Sequence, residues 1–412
     1  MPRLPLSRLG SHRALDLVNF FLADAQTGFG PFVAVYLTSQ KWTQVDIGFV
    51  LTLGTVTSVI SQLPAGALVD AVNSKRLVAS GALVAIMVAA LLLAIWPAPL
   101  PVLLAQILHG FASCVITPAI AAISLGLTGH AALGERLGRN ARFASIGNGL
   151  AAAVMGATGA WLSSPAVFVL TAVLCVPAVV ALWGVRPGGF ASVQTSGPFL
   201  DFGGLRRLAG DRRLQIFAVC VMLFHLSNAA MLPLSGAAVT MRAGDFANVI
   251  IGACIVVPQI IVAIASPWVG RMAGHRGRRW VLLLGWIALP VRGVLLAVVP
   301  GVWPVVAVQA VSGISGAVFG VMLPLMAADL SRGSGHFNLC MGFLGLAMYA
   351  GAALSTSLAG AIADAAGMPL AFLTLAGIGT IAVCVVWLAM PETAPTAPAV
   401  PASRTRAARV VS

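Results

Sequence analysis

The chain has 412 residues, of which 59% are hydrophobic and only 8% are charged, and its formal net charge is +13. Soluble domains carry about 25% charged residues, so this composition excludes a water-soluble globular protein. The positive charge alone would permit a nucleic-acid partner. The positions of the basic residues along the chain, described below, instead indicate a protein embedded in a lipid bilayer, and we expect no nucleic acid.

Twelve apolar segments follow one another along the chain. Each is long enough for a membrane-spanning helix, which needs about 20 mainly apolar residues. The segments lie at roughly 14–37, 45–69, 77–96, 101–127, 143–163, 165–185, 214–240, 247–270, 280–299, 303–327, 337–361 and 368–390. We therefore expect an all-α membrane protein with twelve transmembrane helices.

The basic residues are distributed unevenly between the two sides of this predicted bundle. Lys41 and Arg242 fall on one side, Arg292 lies inside the ninth segment, and all the other lysines and arginines fall on the opposite side. Loops rich in Lys and Arg stay in the cytoplasm. This pattern predicts a multi-pass protein of the inner (plasma) membrane with both termini in the cytoplasm.

The predicted helices divide into two sets of six. Residues 1–185 should form an N-terminal six-helix bundle and residues 214–390 a C-terminal one. Between them lies a cytoplasmic linker, 186–213, and a disordered cytoplasmic tail follows at 391–412.

The two halves also repeat each other in sequence. A shift of 204 positions places Asp24 on Asn228, Gly66 on Gly270 and Lys75 on Arg279, and a shift of 203 places Gln106 on Gln309. Such repeats predict two pseudo-symmetric bundles with a solute site between them near the membrane midplane.

Two loops carry related motifs, one from Gly66 to Arg76 and the other from Gly270 to Arg279. Together they resemble the G-x-L-x-D-R-x-G-R-R signature of the major facilitator superfamily. The first has Ala71 and Asn73 where Arg and Gly are usual, and the second has Gly274 in place of the acid. The positive-inside rule alone would also explain Arg278 and Arg279.

The resemblance extends over nearly the whole chain and is to a bacterial branch with no assigned substrate. It implies the two-bundle fold of that family and a motif that holds the cytoplasmic helix ends together. The residues expected to form this cytoplasmic gate motif are Gly66, Asp70, Lys75, Arg76, Gly270, Arg276, Arg278 and Arg279. Gln106 stands where many proton-coupled members have an arginine, which argues against a drug antiporter.

Ionisable groups inside apolar segments are costly and often mark a pathway for ions or solutes. Asp24 in the first segment and His225 in the seventh are the candidate proton-coupling residues, because a buried carboxylate and a histidine can both exchange protons. For each of them a structural hydrogen bond between helices is the alternative.

Five polar side chains within the predicted helices are candidates for binding a solute. They are Gln26, His109, Asn228, Gln309 and Arg292. His109, Asn228 and Gln309 could instead make helix-packing hydrogen bonds. Arg292 could instead bind the backbone carbonyl groups freed near Pro290.

The sequence contains no phosphate-binding glycine loop with a lysine, no nucleophile elbow and no metal-ligand spacing. We therefore expect no enzymatic activity, no cofactor and no bound metal. The predicted function is secondary transport of a small organic solute by alternating access, with proton-coupled efflux as the first choice. The alternatives are proton-linked uptake of a metabolite and a non-transporting membrane sensor of the same fold. We expect a monomer.

Overall fold

The structure is a computed structural model, and it describes residues 6–27, 29, 31–186, 202–243, 247–299, 301–332 and 334–393. The described residues form helices and their connections, without a β-strand. The helices are α1 (Leu6–Thr27), α2 (Pro31–Ser39), α3 (Gln44–Ala71), α4 (Lys75–Ile95), α5 (Pro99–Trp161), α6 (Ser164–Gly184), α7 (Phe202–Gly210), α8 (Arg212–Asn228), α9 (Met231–Ala243), α10 (Ala247–His275), α11 (Arg278–Val298), α12 (Val302–Leu330), α13 (Phe337–Ala366) and α14 (Met368–Ala389).

Within the described residues, ten helices are long and apolar enough to cross a membrane, which confirms the prediction of an all-α, multi-pass membrane protein. One of these ten, Pro99–Gly159, is 61 residues long and includes both the fourth and the fifth predicted segments. The first predicted segment is divided between α1 and α2, and the seventh between α8 and α9. The predicted tail lies outside the described residues beyond Thr393.

The α5 helix differs from the predicted pattern in the region between its two apolar segments. Residues 128–142 lie outside both segments, yet the structure shows helix throughout, with one non-helical residue, Gly129, at φ 69° and ψ 173°. This left-handed φ favours glycine, which has no Cβ. Arg136, Arg139 and Asn140 therefore project from a helix.

The buried apolar residues form separate cores in the two halves of the chain. One core consists of residues between Leu15 and Val185. A second consists mainly of residues between Leu208 and Met390, and a few first-half residues such as Leu133 and Leu137 join it. Each half of the chain therefore has apolar packing of its own.

The two halves meet along two pairs of helices, α3 with α13 and α5 with α10. Glycines allow the backbones to approach closely in both pairs. A Cβ atom added to Gly66 of α3 would lie 2.9 Å from the carbonyl carbon of Asn338 in α13, and one added to Gly270 of α10 would lie 2.9 Å from that of Gly134 in α5. We call the end of the molecule where Gly66 and Gly270 lie the motif end.

The α3–α13 contact does not continue to the opposite end of these helices. Facing residues are buried near the motif end, as with Gln62 and Gly66 of α3 and their neighbours Gly342 and Gly345 of α13.

Farther along the same helical faces, Leu51 and Thr55 of α3 and Ala353 and Thr356 of α13 are exposed. We call the end marked by these four residues the open end. The facing surfaces of α3 and α13 are therefore in contact at the motif end and exposed at the open end.

Candidate functional site

Asp70, at the end of α3, contacts the first turn of α13. Its carboxylate accepts hydrogen bonds from the side-chain amide of Asn338 at 2.6 Å and from the backbone N–H groups of Leu339 at 2.8 Å and Asn338 at 3.2 Å. The first N–H groups of a helix lack partners within the helix and favour a negative charge. This carboxylate thus joins the two halves at the motif end.

Within the described residues, the hydrogen bonds of the two basic residues of the first motif stay in their own half. Lys75 donates hydrogen bonds from Nζ to the carbonyl oxygens of Val72 at 2.8 Å, Asp70 at 3.1 Å and Val69, and so binds the C-terminal end of α3. Arg76 donates from Nη1 to the carbonyl oxygen of Val185 at 2.8 Å. These contacts hold the ends of α3, α4 and α6 in place.

The second motif makes different contacts. Arg278 is buried, and its Nε donates to Asp329 of α12 at 2.9 Å. Arg276 is exposed. The N-cap of α11 is Gly277, which has no side chain, and the carboxylate of Glu392 takes over the capping role. It accepts hydrogen bonds from the backbone N–H groups of Arg278 at 2.8 Å and Arg279 at 3.2 Å.

A buried ionic cluster lies at the motif end of the first half. Asp16 of α1 accepts a hydrogen bond from Arg136 at 2.5 Å and also pairs with Arg139. Arg136 donates from Nε to Asn140 at 2.8 Å, and Asn140 donates to Ser124 at 2.7 Å. Asp16 is not among the site residues predicted from the sequence. The available signal was an acid just inside the first apolar segment.

Arg292, Asn228 and Gln309 form a second polar cluster, deep among the helices of the second half. Nη1 of Arg292 donates to Oδ1 of Asn228, and Nη2 donates to Oε1 of Gln309, both at 2.7 Å. Arg292 is 2% exposed and Gln309 is fully buried. The structure therefore brings together three of the five candidate solute-binding residues. The partners of the arginine are side-chain amides from α8 and α12 rather than carbonyl groups near Pro290.

The two histidines among the candidates each pack against an aromatic ring of their own half. His109 stacks on Phe29 with ring centroids 3.9 Å apart, and its Nε2 lies 3.2 Å from Oγ of Ser113. His225 meets Phe319 edge-on with centroids 4.7 Å apart, and its Nδ1 lies 3.2 Å from the carbonyl oxygen of Val221. Both rings are partly exposed.

Asp24 and Gln26 lie in the last turns of α1, just before the interruption that separates it from α2. Their side chains are outside the described part of the structure. Asn228, the repeat partner of Asp24, is the last residue of α8, and a turn at Ala229 and Ala230 separates it from α9. The sequence repeat therefore coincides with a repeated structural feature: α1 ends three residues after Asp24, and α8 ends at Asn228.

The fold and the motifs are those of a polytopic membrane transporter, and comparison with known proteins identifies the family. The model of the Major Facilitator Superfamily matches residues 15–241 and 217–412. An uncharacterized MFS-type transporter of Mycobacterium tuberculosis, found in strains CDC 1551 and H37Rv, is 34% identical over 389 residues, which are 92% of this chain and 93% of that protein. The chain belongs to the major facilitator superfamily.

Solved structures share the fold at low sequence identity. The Escherichia coli fucose:proton symporter FucP in the outward conformation has a TM-score of 0.76 at 14% identity and covers 92% of this chain and 99% of its own. The human organic anion transporter MFSD10 has a TM-score of 0.74 at 15% identity, and the match covers 93% of this chain and 100% of that chain. The nucleoside transporter NupG has a TM-score of 0.64 at 17% identity, and the match covers 91% of this chain and 98% of that chain. Membership of this family indicates a transporter rather than an enzyme.

Proposed function

We propose that this protein is a secondary transporter that moves a small organic solute by alternating access, coupled to protons. The observation that carries the proposal is the arrangement of the two halves. They contact each other along α3–α13 and α5–α10 at the motif end, and the same faces of α3 and α13 are exposed at the open end. This is the geometry of a carrier with one gate closed and the other open.

The proposal includes an orientation in the membrane. Lys and Arg outside the apolar segments are concentrated on the side of the motif end, which we therefore place in the cytoplasm with both termini. The structure then represents an outward-facing state of an inner-membrane protein. We further propose twelve crossings in two six-helix bundles, with α5 supplying two crossings on either side of Gly129, since about 20 residues suffice for one.

Asp24 is the proposed proton-coupling site, with His225 as the second candidate. Asp24 is the one acid in the middle of its apolar segment, and it precedes the interruption between α1 and α2. Interrupted helices expose backbone groups that bind ions and solutes in transporters. Gln26, His109, Asn228, Gln309 and Arg292 are the proposed solute-binding residues. Efflux in exchange for protons is the direction we propose.

The test is transport by the purified protein in liposomes with an imposed pH gradient, measured for a panel of organic solutes. Asp24→Asn should abolish proton-driven accumulation while solute exchange without a gradient persists. Asp46→Asn, which removes an exposed carboxylate at the start of α3, is the matched control and should behave as the unmodified protein. Reversing the gradient distinguishes efflux from uptake.

Two results would contradict parts of the proposal. Full coupled transport by Asp24→Asn would exclude Asp24 as the essential proton site. If no solute of a broad panel moves, and labels at the open end keep one distance under all conditions, the protein is a sensor that retains the fold.

A further inference from the structure

Among the residues that the structure describes, Arg292 is a buried charge without an opposite charge beside it. The side chain is 2% exposed, and among the described residues no carboxylate lies within ion-pair distance of it. Its two partners, Asn228 and Gln309, offer neutral amide oxygens. A charge removed from water is costly unless it is paired. Neutral amide dipoles offset the desolvation free energy of the guanidinium less than an opposite charge would.

The hydrogen-bond donors of this cluster are also incompletely used. A guanidinium has five N–H donors. Here Nη1 and Nη2 have partners, whereas Nε of Arg292 and Nε2 of Gln309 are buried and have none. Both unpartnered atoms are donors, and one of them, Nε of Arg292, belongs to the positively charged guanidinium. The missing partner must therefore be an acceptor, and a negatively charged acceptor would satisfy both the donors and the charge.

The cluster is also connected to the less buried part of the helix bundle. Asn228 is half-buried, and it is the last residue of α8, directly before the turn at Ala229 and Ala230. The amide of Asn228 therefore lies between the enclosed guanidinium and an interruption of the helix.

We infer that Arg292, Gln309 and Asn228 form a binding site for a carboxylate-sized anionic group. Arginine binds carboxylates with two parallel N–H···O bonds, and the edge formed by the unpartnered Nε and the second hydrogen of Nη2 offers such a pair of donors. This inference rests on the proposed transport function in one respect: it makes the solute an organic anion. A free inorganic anion such as chloride has the same charge, and the experiment separates the two.

The experiment measures thermal unfolding of the purified protein in detergent at constant ionic strength and pH. The probes are sodium acetate, butyrate and benzoate, each paired with its neutral amide (acetamide, butyramide, benzamide), and sodium chloride. Binding to the folded state alone raises the unfolding temperature. We expect at least one carboxylate at saturation to raise it by roughly 3 °C or more and the matching amide to have no effect.

Two variants identify the site. Gln309→Glu places a carboxylate beside Nη2 of Arg292, so this variant should be more stable without any added anion and should no longer respond to carboxylates. Arg292→Lys keeps the charge and loses the planar guanidinium with its parallel N–H donors. The apparent affinity for the carboxylate should therefore fall about tenfold. Arg139→Gln changes an arginine whose side chain is 48% exposed, and it should respond as the unmodified protein does.

The inference is overturned if carboxylates and their amides act alike, or if Gln309→Glu responds as strongly as the unmodified protein. A response to chloride with no additional effect of any carboxylate would also overturn it in favour of an inorganic ion. Liposome transport of the stabilising carboxylate is measured separately. Stabilisation without transport would contradict the proposed transport function and leave the anion site standing.

Discussion

Asp70 and Asn338 are 268 positions apart in sequence and are joined by a 2.6 Å hydrogen bond from the side-chain amide of Asn338 to the carboxylate. The same carboxylate also accepts the backbone N–H groups of Asn338 and Leu339. These bonds must break before α3 and α13 can separate at the motif end. They should therefore contribute directly to the equilibrium between the two conformations of the carrier.

Asp70→Asn should shift this equilibrium toward the state that is open at the motif end. Hydrogen bonds to a charged group contribute about 1.5–3 kcal/mol, so the shift should be roughly 10- to 100-fold. Spin labels at Leu51 and Ala353 report the separation of the open end, after the one exposed native cysteine, Cys384, has been replaced by serine. The expected result is a larger population with a short distance between the labels.

Asp364→Asn is the control for this experiment. It removes an exposed carboxylate from the other end of α13, and its label distances should match those of the unmodified protein. Unchanged distances in Asp70→Asn as well would show that the carboxylate does not stabilise the closed motif end.

Two glycines four residues apart in the second motif should respond differently to alanine. A Cβ on Gly270 would lie 2.9 Å from the carbonyl carbon of Gly134, whereas one on Gly274 would have no atom within 4 Å. The neighbour of Gly270 is backbone and cannot move aside without moving α5. Overpacking costs about 1–3 kcal/mol, so Gly270→Ala should lower the unfolding temperature or separate α5 from α10.

Gly274→Ala should leave both properties unchanged or raise the stability slightly, because alanine favours the helix. Thermal unfolding and a distance measurement between labels on α5 and α10 check both variants. Equal behaviour of the two would mean that the close approach of the helices is not important for the closed state.

Asp16→Asn should destabilise the first half of the protein strongly. Arg136 is 3% exposed, and Asp16 is the carboxylate paired with it. Removing one partner of a buried pair costs about 3–5 kcal/mol, because the other charge is left buried. Thermal unfolding in detergent measures the loss, and Arg139→Gln, which removes a half-exposed partner of the same acid, should cost less than about 1 kcal/mol.

A double variant tests whether the charge is the cause. Asp16→Asn combined with Arg136→Gln removes both charges and should recover part of the stability that Asp16→Asn loses. A double variant that is less stable than Asp16→Asn alone would contradict this account.

Two truncations test the contact between Glu392 and the start of α11. A chain ending at Thr393 keeps the carboxylate that caps α11, and it should unfold at the temperature of the full chain. A chain ending at Pro391 loses both hydrogen bonds to the N–H groups of Arg278 and Arg279. Since loss of an N-cap costs about 1 kcal/mol, its unfolding temperature should be lower.

Glu392→Gln in the full chain should reproduce part of the loss seen in the shorter truncation. Equal unfolding temperatures for the two truncated chains would show that this contact does not stabilise α11.

The positions of the helices could be predicted from the sequence, because about 20 consecutive apolar residues in a membrane protein leave the backbone few alternatives to a helix. The prediction was less good where a helix continues through polar residues. Arg136 and Arg139 suggested a loop between two segments, but a helix carries them, since Asp16 and Asn140 compensate their charge and hydrogen bonds. Asp16 is 120 positions away from Arg136, so the local sequence does not show this pairing.

The candidate solute-binding residues illustrate the same limit. Arg292, Asn228 and Gln309 were selected one at a time, since each is a polar group in an apolar segment. Their hydrogen bonds to one another depend on the packing of α8, α11 and α12, which a single sequence does not specify. Glu392 was missed for a related reason: nothing near it in the sequence shows that α11 lacks a capping side chain of its own.

The glycine contacts at the motif end also affect how fast the carrier can change shape. Where Gly66 meets Asn338 and Gly270 meets Gly134, the backbones of the paired helices approach each other without an intervening Cβ atom. Two such surfaces can part or slide without rotamer changes. At these points the activation barrier for rocking one half against the other should depend more on breaking the bonds to Asp70 than on rearranging side chains.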